Sequence, residues 1–347
     1  MNEEAIDRKR DAYKQLWQIC FDDSETFVDL YFRERYTDER TQAIWMGQQP
    51  VAAMQLLPYP LSWVGESVST AYVSGACTHP DFRQQGLMQQ LLAQSFTVMK
   101  EQGVLLSTLI PANDSLFHYY ARSGYASLFY YIRRRFTATP SLVLDSGVTV
   151  DELRDFTDES YAYLNQKLSE RSCCVQHTAA DFQVVCQDMK QNGGGVFVLR
   201  RGTQLTALAV AMPLFGEAGW RIDEVVADTP ADVDVLLQAI CAAKSVDGLE
   251  VMAPPAAYDE GMPLGMGRII DAFAALQRYA SLHPELSLSL ALVDEQLADN
   301  NGYYVLHRGS CSKTAERLMH IDETLTIAQL TERIFLPLRP YMSLMLN

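Results

Sequence analysis

Apolar positions recur with a helical period at the start of the chain. Residues 4–35 read as two helices interrupted at Asp23 and Ser24, with Phe27, Leu30 and Tyr31 forming an i, i+3, i+4 stripe on the second. Strand-like runs follow over 41–46, 51–57 and 67–78, and Pro58 and Pro60 are expected to break the middle one. A helix is predicted over about 83–102, with Met88, Leu91, Leu92, Ser95, Phe96 and Met99 on one face. A strand over 104–110, a short helix near 115–122 and a strand over 125–136 complete the first segment. Such alternation predicts a mixed α/β (α+β) fold. Residues 137–147, which include Pro140, read as a linker.

The layout repeats more faintly over about 148–262. Helical patterns at 157–171 and 179–192 precede strands at 196–200 and 206–213, then a strand at 220–227, a helix at 231–245 and a strand at 249–253. Pro254, Pro255, Gly261 and Pro263 mark the exit. A third segment begins near Met266, with a helix expected over 269–279, strands over 286–293 and 303–308, and a closing helix over 327–333.

Composition narrows the function classes. The 347 residues hold 28 basic and 43 acidic side chains, a net charge of −15, which argues against a phosphate-tracking nucleic-acid binder or a basic membrane-surface protein. The charge is uneven: residues 1–140 carry 13 basic and 15 acidic groups, whereas residues 141–347 carry 15 and 28. The charged first ten residues lack the apolar run of a signal peptide, and no run reaches a membrane span. Seven cysteines without C-x-x-C spacing and six histidines without H-x-x-x-H spacing predict neither a disulfide framework nor a metal site. The adjacent Cys173 and Cys174 read as two buried or loop thiols, with a redox-active pair as the alternative. The expectation is a soluble, cytoplasmic, multi-domain protein with a small or cationic partner and no nucleic-acid or membrane partner; the composition leaves homo-oligomerisation open.

The sharpest local pattern is a strand running through Ala76, Cys77 and Thr78 into a turn that contains Arg83-Gln84-Gln85-Gly86-Leu87-Met88, where a helix starts. Backbone N–H groups at such a helix end, with the helix dipole, suit a pyrophosphate. Gly86 lets the backbone approach a ligand without a Cβ in the way. After the next strand comes Asn113, then a helix ending in Tyr120, with Gly124 placed for a left-handed C-cap before Tyr125.

This R-x-x-G turn, with the later asparagine and Y-x-x-x-G-[FY] pattern, resembles the coenzyme A signature of the GNAT superfamily of N-acetyltransferases. The resemblance implies acetyl-CoA binding by Ala76, Cys77, Thr78, Arg83, Gln84, Gln85, Gly86, Leu87, Met88 and Asn113, with Tyr120 as the general acid. Met88 departs from the pattern, which usually has a small residue there. Residues 222–230 and their following helix resemble residues 73–80 and theirs, but the second turn lacks glycine and arginine and carries Asp232 and Asp234. Those carboxylates would repel a pyrophosphate, so the second segment reads as a degenerate copy.

A tandem of active and degenerate GNAT domains followed by a small α+β domain resembles the enhanced-intracellular-survival type acetyltransferases, whose last domain is similar to sterol carrier protein 2. The expected units are 1–137, 138–264 and 265–347. The apolar tail from Leu336 to Leu346 is expected to be buried, and the resemblance makes the terminal carboxylate of Asn347 the catalytic base. The base would take the proton from a primary amine of ordinary pKa near 10.4. A backbone N–H of residues 74–78 would stabilise the oxyanion. The acceptor is expected to be a cationic small-molecule amine such as an aminoglycoside or polyamine. The alternatives are an acetyl-CoA-binding regulator without turnover and a lipid carrier acting through the third segment.

Overall fold

The computed structural model describes residues 3–139, 145–154, 156–214, 216, 218–256 and 260–346. The first segment runs α1 (Glu3–Cys20), α2 (Glu25–Glu34), β1 (Thr41–Met46), β2 (Gln49–Trp63), β3 (Glu66–Thr78), α3 (Leu87–Glu101), β4 (Leu106–Leu109), α4 (Asp114–Ala121) and β5 (Ala126–Thr137). The second runs β6 (Val148–Leu153), α5 (Asp158–Ser169), β7 (Cys173–Val175), α6 (Ala179–Gln191), β8 (Gly195–Arg201), β9 (Gln204–Pro213), β10 (Trp220–Ala227), α7 (Pro230–Lys244) and β11 (Gly248–Ala253). The rest comprises β12 (Met262–Ile269), α8 (Ala272–Leu282), β13 (Ser287–Val293), β14 (Gly302–His307), β15 (Ser310–Thr314), β16 (Glu323–Thr326) and α9 (Ile327–Phe335). Much of the expected linker, residues 140–144, lies outside the described residues.

The fold is mixed α/β, and one twelve-stranded sheet joins the first two segments in the order β1-β2-β3-β4-β12-β5-β11-β10-β9-β8-β6, with β7 on β2. Strand β5 makes the join. Its first half pairs with β12, and its second half, from Ile132 to Thr137, pairs with β11. A separate four-stranded sheet has the order β15-β14-β13-β16.

Three sequence expectations need correction. Strand β2 does not stop at the prolines; it continues to Trp63. Pro58 and Pro60 lie beyond the stretch paired with β1 and before the stretch paired with β7, so neither missing N–H breaks a ladder. Helix α3 starts at Leu87 rather than near Arg83, because Gly86 caps it in the left-handed conformation at φ 75°. Residues 262–269, expected to fall at the exit of the second segment and the opening helix of the third, form β12 instead. This strand inserts between β4 and β5, crosses the expected 264/265 boundary, and helix α8 begins only at Ala272.

Alternation along β3 places its side chains on two layers. Ala71 and Val73 pack with Leu91, Leu92, Phe96 and Met99 of α3, whereas Tyr72 packs with Trp17 and Tyr31 of α1 and α2. Arg268 of β12 ties the third segment to the first. Its fully buried guanidinium meets Asp294 at 2.6 Å, donates to the Ser123 carbonyl at 2.9 Å and lies 4.2 Å from the Phe96 ring centroid. Gly124 has the expected positive φ, 82°, and a Cβ there would fall 2.6 Å from Ile327 and 3.2 Å from Arg268.

Candidate active site

Strands β3 and β4 pair in parallel only from Thr70 to Tyr72 against Leu106 to Thr108, then splay. Along its other edge, β3 carries a bulge: Ala53 faces Cys77 but Gln55 faces Ser74, so three steps on β3 match two on β2. The bulge includes Gly75 at φ 60°. A Cβ there would fall 2.1 Å from the Trp17 ring, so glycine is required both by conformation and by the indole packed on it. On the side from which β4 has splayed away, residues Val73–Ala76 line a chamber instead of pairing with a strand.

Two cavities meet there. A groove of about 580 Å³ runs from Ala76, Cys77 and Thr78 past Arg83, Gln84 and Gly86 to Leu87 and Met88, with Leu116, Tyr119, Tyr120 and Arg122 of the α4 region opposite. A chamber of about 250 Å³ lies between the splayed strands and α1–α2. Ala76, Leu116 and Tyr120 line both.

The groove has the chemistry of an anion site at one end. No side chain caps α3 at Gly86, so its first N–H groups are free of side-chain partners. Leu87 and Met88 are half-buried against the core beneath the helix. The bulky residues therefore pack inward at the point where the sequence departs from the superfamily pattern. Arg83 folds back, its Nε donating to the Thr78 carbonyl at 3.1 Å. Of the residues expected to bind the cofactor, Ala76, Cys77, Thr78, Arg83, Gln84, Gly86, Leu87 and Met88 line the groove. Gln85 is exposed on the same turn but is not among the lining residues. Asn113 instead caps α4, its Oδ1 accepting from the Ser115 N–H at 3.1 Å and from the Ser115 hydroxyl at 2.6 Å.

Three tyrosines compete for the acid role, and geometry separates them. Tyr125 is buried with its hydroxyl 2.7 Å from Ser107, away from both cavities. Tyr119 lines only the groove. Tyr120 stands at the junction, with its ring centroid 5.4 Å from that of Tyr119 and 5.8 Å from that of Tyr125. Burial, followed by its tyrosine neighbours and Cys77, pushes its phenol well above the usual range, so the proton stays on until a strong base forms beside it.

The tail is buried from Pro340 to Met342 and again at Leu346, whereas Leu336 and Pro337, expected inside, are exposed on the turn that follows α9. Leu346 packs among Leu30, Val184 and Val185 and lines the chamber. Asn347, the expected base, lies outside the described residues. Patterning had not revealed what grips the tail: the Glu224 carboxylate of β10 accepts from the Tyr341 hydroxyl at 2.8 Å and the Ser343 hydroxyl at 2.6 Å. His177 meets the Ser343 carbonyl at 2.9 Å, and the Arg171 guanidinium sits 4.2 Å from the Tyr341 ring centroid. The available clue is positional: Glu224 shares a strand face with Ile222 and Val226, where alternation calls for an apolar residue.

The corresponding turn in the second segment is closed. Thr229 caps α7, and the buried Asp232 accepts from the Thr229 hydroxyl at 2.7 Å and from Arg201 at 2.8 Å. A carboxylate and its arginine occupy the place an anion would need. Cys173 and Cys174 are buried in β7, and burial pushes the Cys173 thiol up to about 12.

Residues 4–128 match the family described as acetyltransferase (GNAT) domain. The first third of the chain is therefore an acetyltransferase domain, an enzyme domain of the acyltransferase class. Similar solved structures extend the fold likeness to nearly the whole chain. A GCN5-related N-acetyltransferase from Anabaena variabilis superposes with a TM-score of 0.74 at 16% identity, covering 98% of this chain and 97% of that one. Another from Kribbella flavida gives 0.72 at 16% identity, covering 98% and 96%. Eis1 from Mycobacterium abscessus gives 0.72 at 12% identity, covering 96% and 88%. Among curated proteins none matches the chain in sequence. No helix among the described residues is long and apolar enough to cross a membrane.

Proposed function

We propose that this protein is a cytoplasmic acetyl-CoA-dependent N-acetyltransferase that acts on the primary amine of a cationic small molecule. One observation carries the reading: the groove at the uncapped end of α3 and the chamber between the splayed strands share Ala76, Leu116 and Tyr120 as common walls. A thioester laid along the groove would reach the chamber at Tyr120, and an acceptor in the chamber would meet it there.

The co-substrate supplies an activated acetyl group. In the transfer, a C–N bond forms to the acetyl carbon and the C–S bond breaks. The amine loses one proton, and the departing sulfur needs one. Tyr120 holds that proton and donates it to the thiolate. The backbone of the bulge around Gly75 and Ala76, on the side from which β4 has splayed away, provides N–H donors for charge developing on the carbonyl oxygen. The terminal carboxylate of Asn347 takes the proton from the amine; the burial of its neighbour Leu346 in the chamber wall supports that role. The second segment, with its closed α7 turn, holds the tail instead of a second coenzyme A. The third segment, from about residue 265, is read as a sterol-carrier-like fold serving as scaffold. The family resemblance puts aminoglycosides and polyamines within the acceptor range.

The test is thiol release from acetyl-CoA over an amine panel. Tyr120→Phe is expected to lower kcat by about 10²–10⁴-fold with acetyl-CoA affinity retained. Removal of Asn347 is expected to do the same. Unchanged turnover in both variants would overturn these roles. Tight acetyl-CoA binding without turnover of any amine would favour a regulator.

A further inference from the structure

The chamber that adjoins the groove is apolar and aromatic to a degree that a polycation does not need. Trp17, Phe21, Phe27 and Tyr72 contribute aromatic wall, and Leu109 and Leu346 contribute aliphatic wall. The Trp17 and Phe21 ring centroids lie 4.9 Å apart, so this wall is a continuous aromatic surface. Among the described residues, the lining contains a single carboxylate, Asp23, and no basic group. Asp23 is exposed, and its Oδ2 accepts from the Trp17 indole N–H at 2.7 Å, which fixes carboxylate and indole together at the mouth. At about 250 Å³ the chamber is smaller than the roughly 300–1,000 Å³ that drug-sized ligands occupy.

From this lining we infer that the acceptor is a compact primary amine with one apolar, preferably aromatic, body: an arylalkylamine rather than an aminoglycoside or an extended polyamine. The inference rests on the acetyltransferase reading above and names its substrate class. A single ammonium is attracted at the mouth by Asp23 and by the faces of Trp17 and its neighbours. As the molecule moves inward its ring replaces water on the aromatic walls. The nitrogen reaches Tyr120 in surroundings that disfavour its charged form, which lowers its pKa toward the neutral nucleophile. A polycation would carry further ammonium groups into the same walls, with only Asp23 at the mouth and the proposed Asn347 base, already engaged with the reacting amine, to pair them, and burial of an unpaired charge is strongly disfavoured. The reaction balances as before: the amine gains the acetyl group and loses a proton, and coenzyme A leaves as the thiol.

The experiment compares 2-phenylethylamine, spermidine and kanamycin as acceptors for the full-length chain, with thiol release followed at saturating acetyl-CoA. Acetyl-CoA binding is measured separately by calorimetry. We expect kcat/KM for 2-phenylethylamine to exceed that for the other two by at least about tenfold. Phe27→Ala should raise KM for 2-phenylethylamine about tenfold while acetyl-CoA affinity holds. Acetyl-CoA binding accompanied by equal or faster turnover of spermidine or kanamycin, or by no turnover of 2-phenylethylamine, overturns the inference and leaves the acetyl-CoA site standing. Failure to bind acetyl-CoA overturns the function on which it rests, and the inference with it.

Discussion

The Tyr341 hydroxyl donates to the Glu224 carboxylate across 2.8 Å, joining the last turn of the chain to strand β10 of the second segment. Burial raises the Glu224 carboxyl, against the hydrogen bonds from Ser343 and Tyr341 and the charge of Arg171 that favour ionisation. A segment whose own helix turn is closed to anions thus has a use: it clamps the tail whose Leu346 walls the chamber beside Tyr120. Glu224→Ala removes the acceptor for two hydroxyls. Hydrogen bonds to a charged partner contribute about 1.5–3 kcal/mol, roughly a 10- to 100-fold shift toward a detached tail. We expect kcat/KM in the thiol-release assay to fall within that range, with faster carboxypeptidase trimming of the tail. Glu224→Gln, which keeps one acceptor oxygen, should lose less. Equal activity and trimming in Glu224→Ala and the parent would show that the clamp does not hold the site.

The same tail is held by a histidine that disfavours charge. His177 is buried, its Nε2 lies 2.9 Å from the Ser343 carbonyl, and no partner among the described residues meets its Nδ1. Burial lowers its pKa below the ordinary 6.5 and the Arg35 charge adds to that effect, whereas the bond to Ser343 and the Asp181 charge act in the opposite direction. A neutral ring donates Nε2–H to the carbonyl; a second proton would place an unpaired N–H in the core. Because the folded pKa is the lower one, the unfolded chain binds more protons below about pH 6.5, and stability is lost as pH falls through that point. Thermal melts from pH 7.5 to 5 should show Tm falling in the parent and falling less in His177→Phe. Identical slopes would remove His177 from the acid response.

Much of the fold was legible because periodicity and turn chemistry agreed. The α2 start at Ser24, the apolar face of α3 and the left-handed Gly124 all lie where the pattern placed them. What was not legible depends on pairing between distant parts. The prolines of β2 read as breakers because a sequence does not show that one side of that strand lacks a neighbour. β12 read as the edge of a helix because Met266, Ile269 and Ile270 stand at an i, i+3, i+4 spacing, and periodicity does not separate a buried strand from a helix over such a length. Within the site, the turn at 83–88 and Tyr120 were visible as local motifs. The chamber was not, because Trp17, Tyr72 and Leu346 come together only after folding. Asn113 shows the reverse case: in the fold, the Oδ1 of this motif residue accepts from Ser115.

Gly75 and Trp17 make the chamber wall sensitive to one methyl group. A Cβ at Gly75 would fall 2.1 Å from the indole, and φ 60° disfavours any L side chain by roughly 1–2 kcal/mol before the clash is counted. Gly75→Ala should therefore displace Trp17, and with it the Asp23 carboxylate it holds. The expected outcome is a Tm lower by several degrees in calorimetry, at roughly 2–4 °C per kcal/mol, together with a KM for the acceptor raised more than that for acetyl-CoA. A variant with parent Tm and parent acceptor KM would mean that the indole has another place to go.

Cys20 ends α1 beside the turn that carries Arg83, its Sγ 3.5 Å from the Thr78 carbonyl that Arg83 also engages. A hydrogen bond from Cys77, and after it the Arg83 side chain, pull the Cys20 thiol down to about 7 against the opposing effect of its partial burial. The neighbouring Cys77 moves well up, kept protonated by Cys20 and by burial. The sign is therefore opposite for the two thiols. The lowered thiol carries more thiolate near pH 7 than a free cysteine does. Iodoacetamide labelling followed by mass spectrometry should find Cys20 modified first. Its rate at pH 7 should exceed that of Cys173 or Cys186 by at least tenfold, since burial raises both of those thiols to about 12. Arg83→Gln should slow the labelling at pH 7 more than at pH 9. Saturating coenzyme A, which would draw Arg83 toward its phosphates, should do the same. Cys20 labelling that keeps its pH profile in Arg83→Gln would dissociate the thiol from the Arg83 turn.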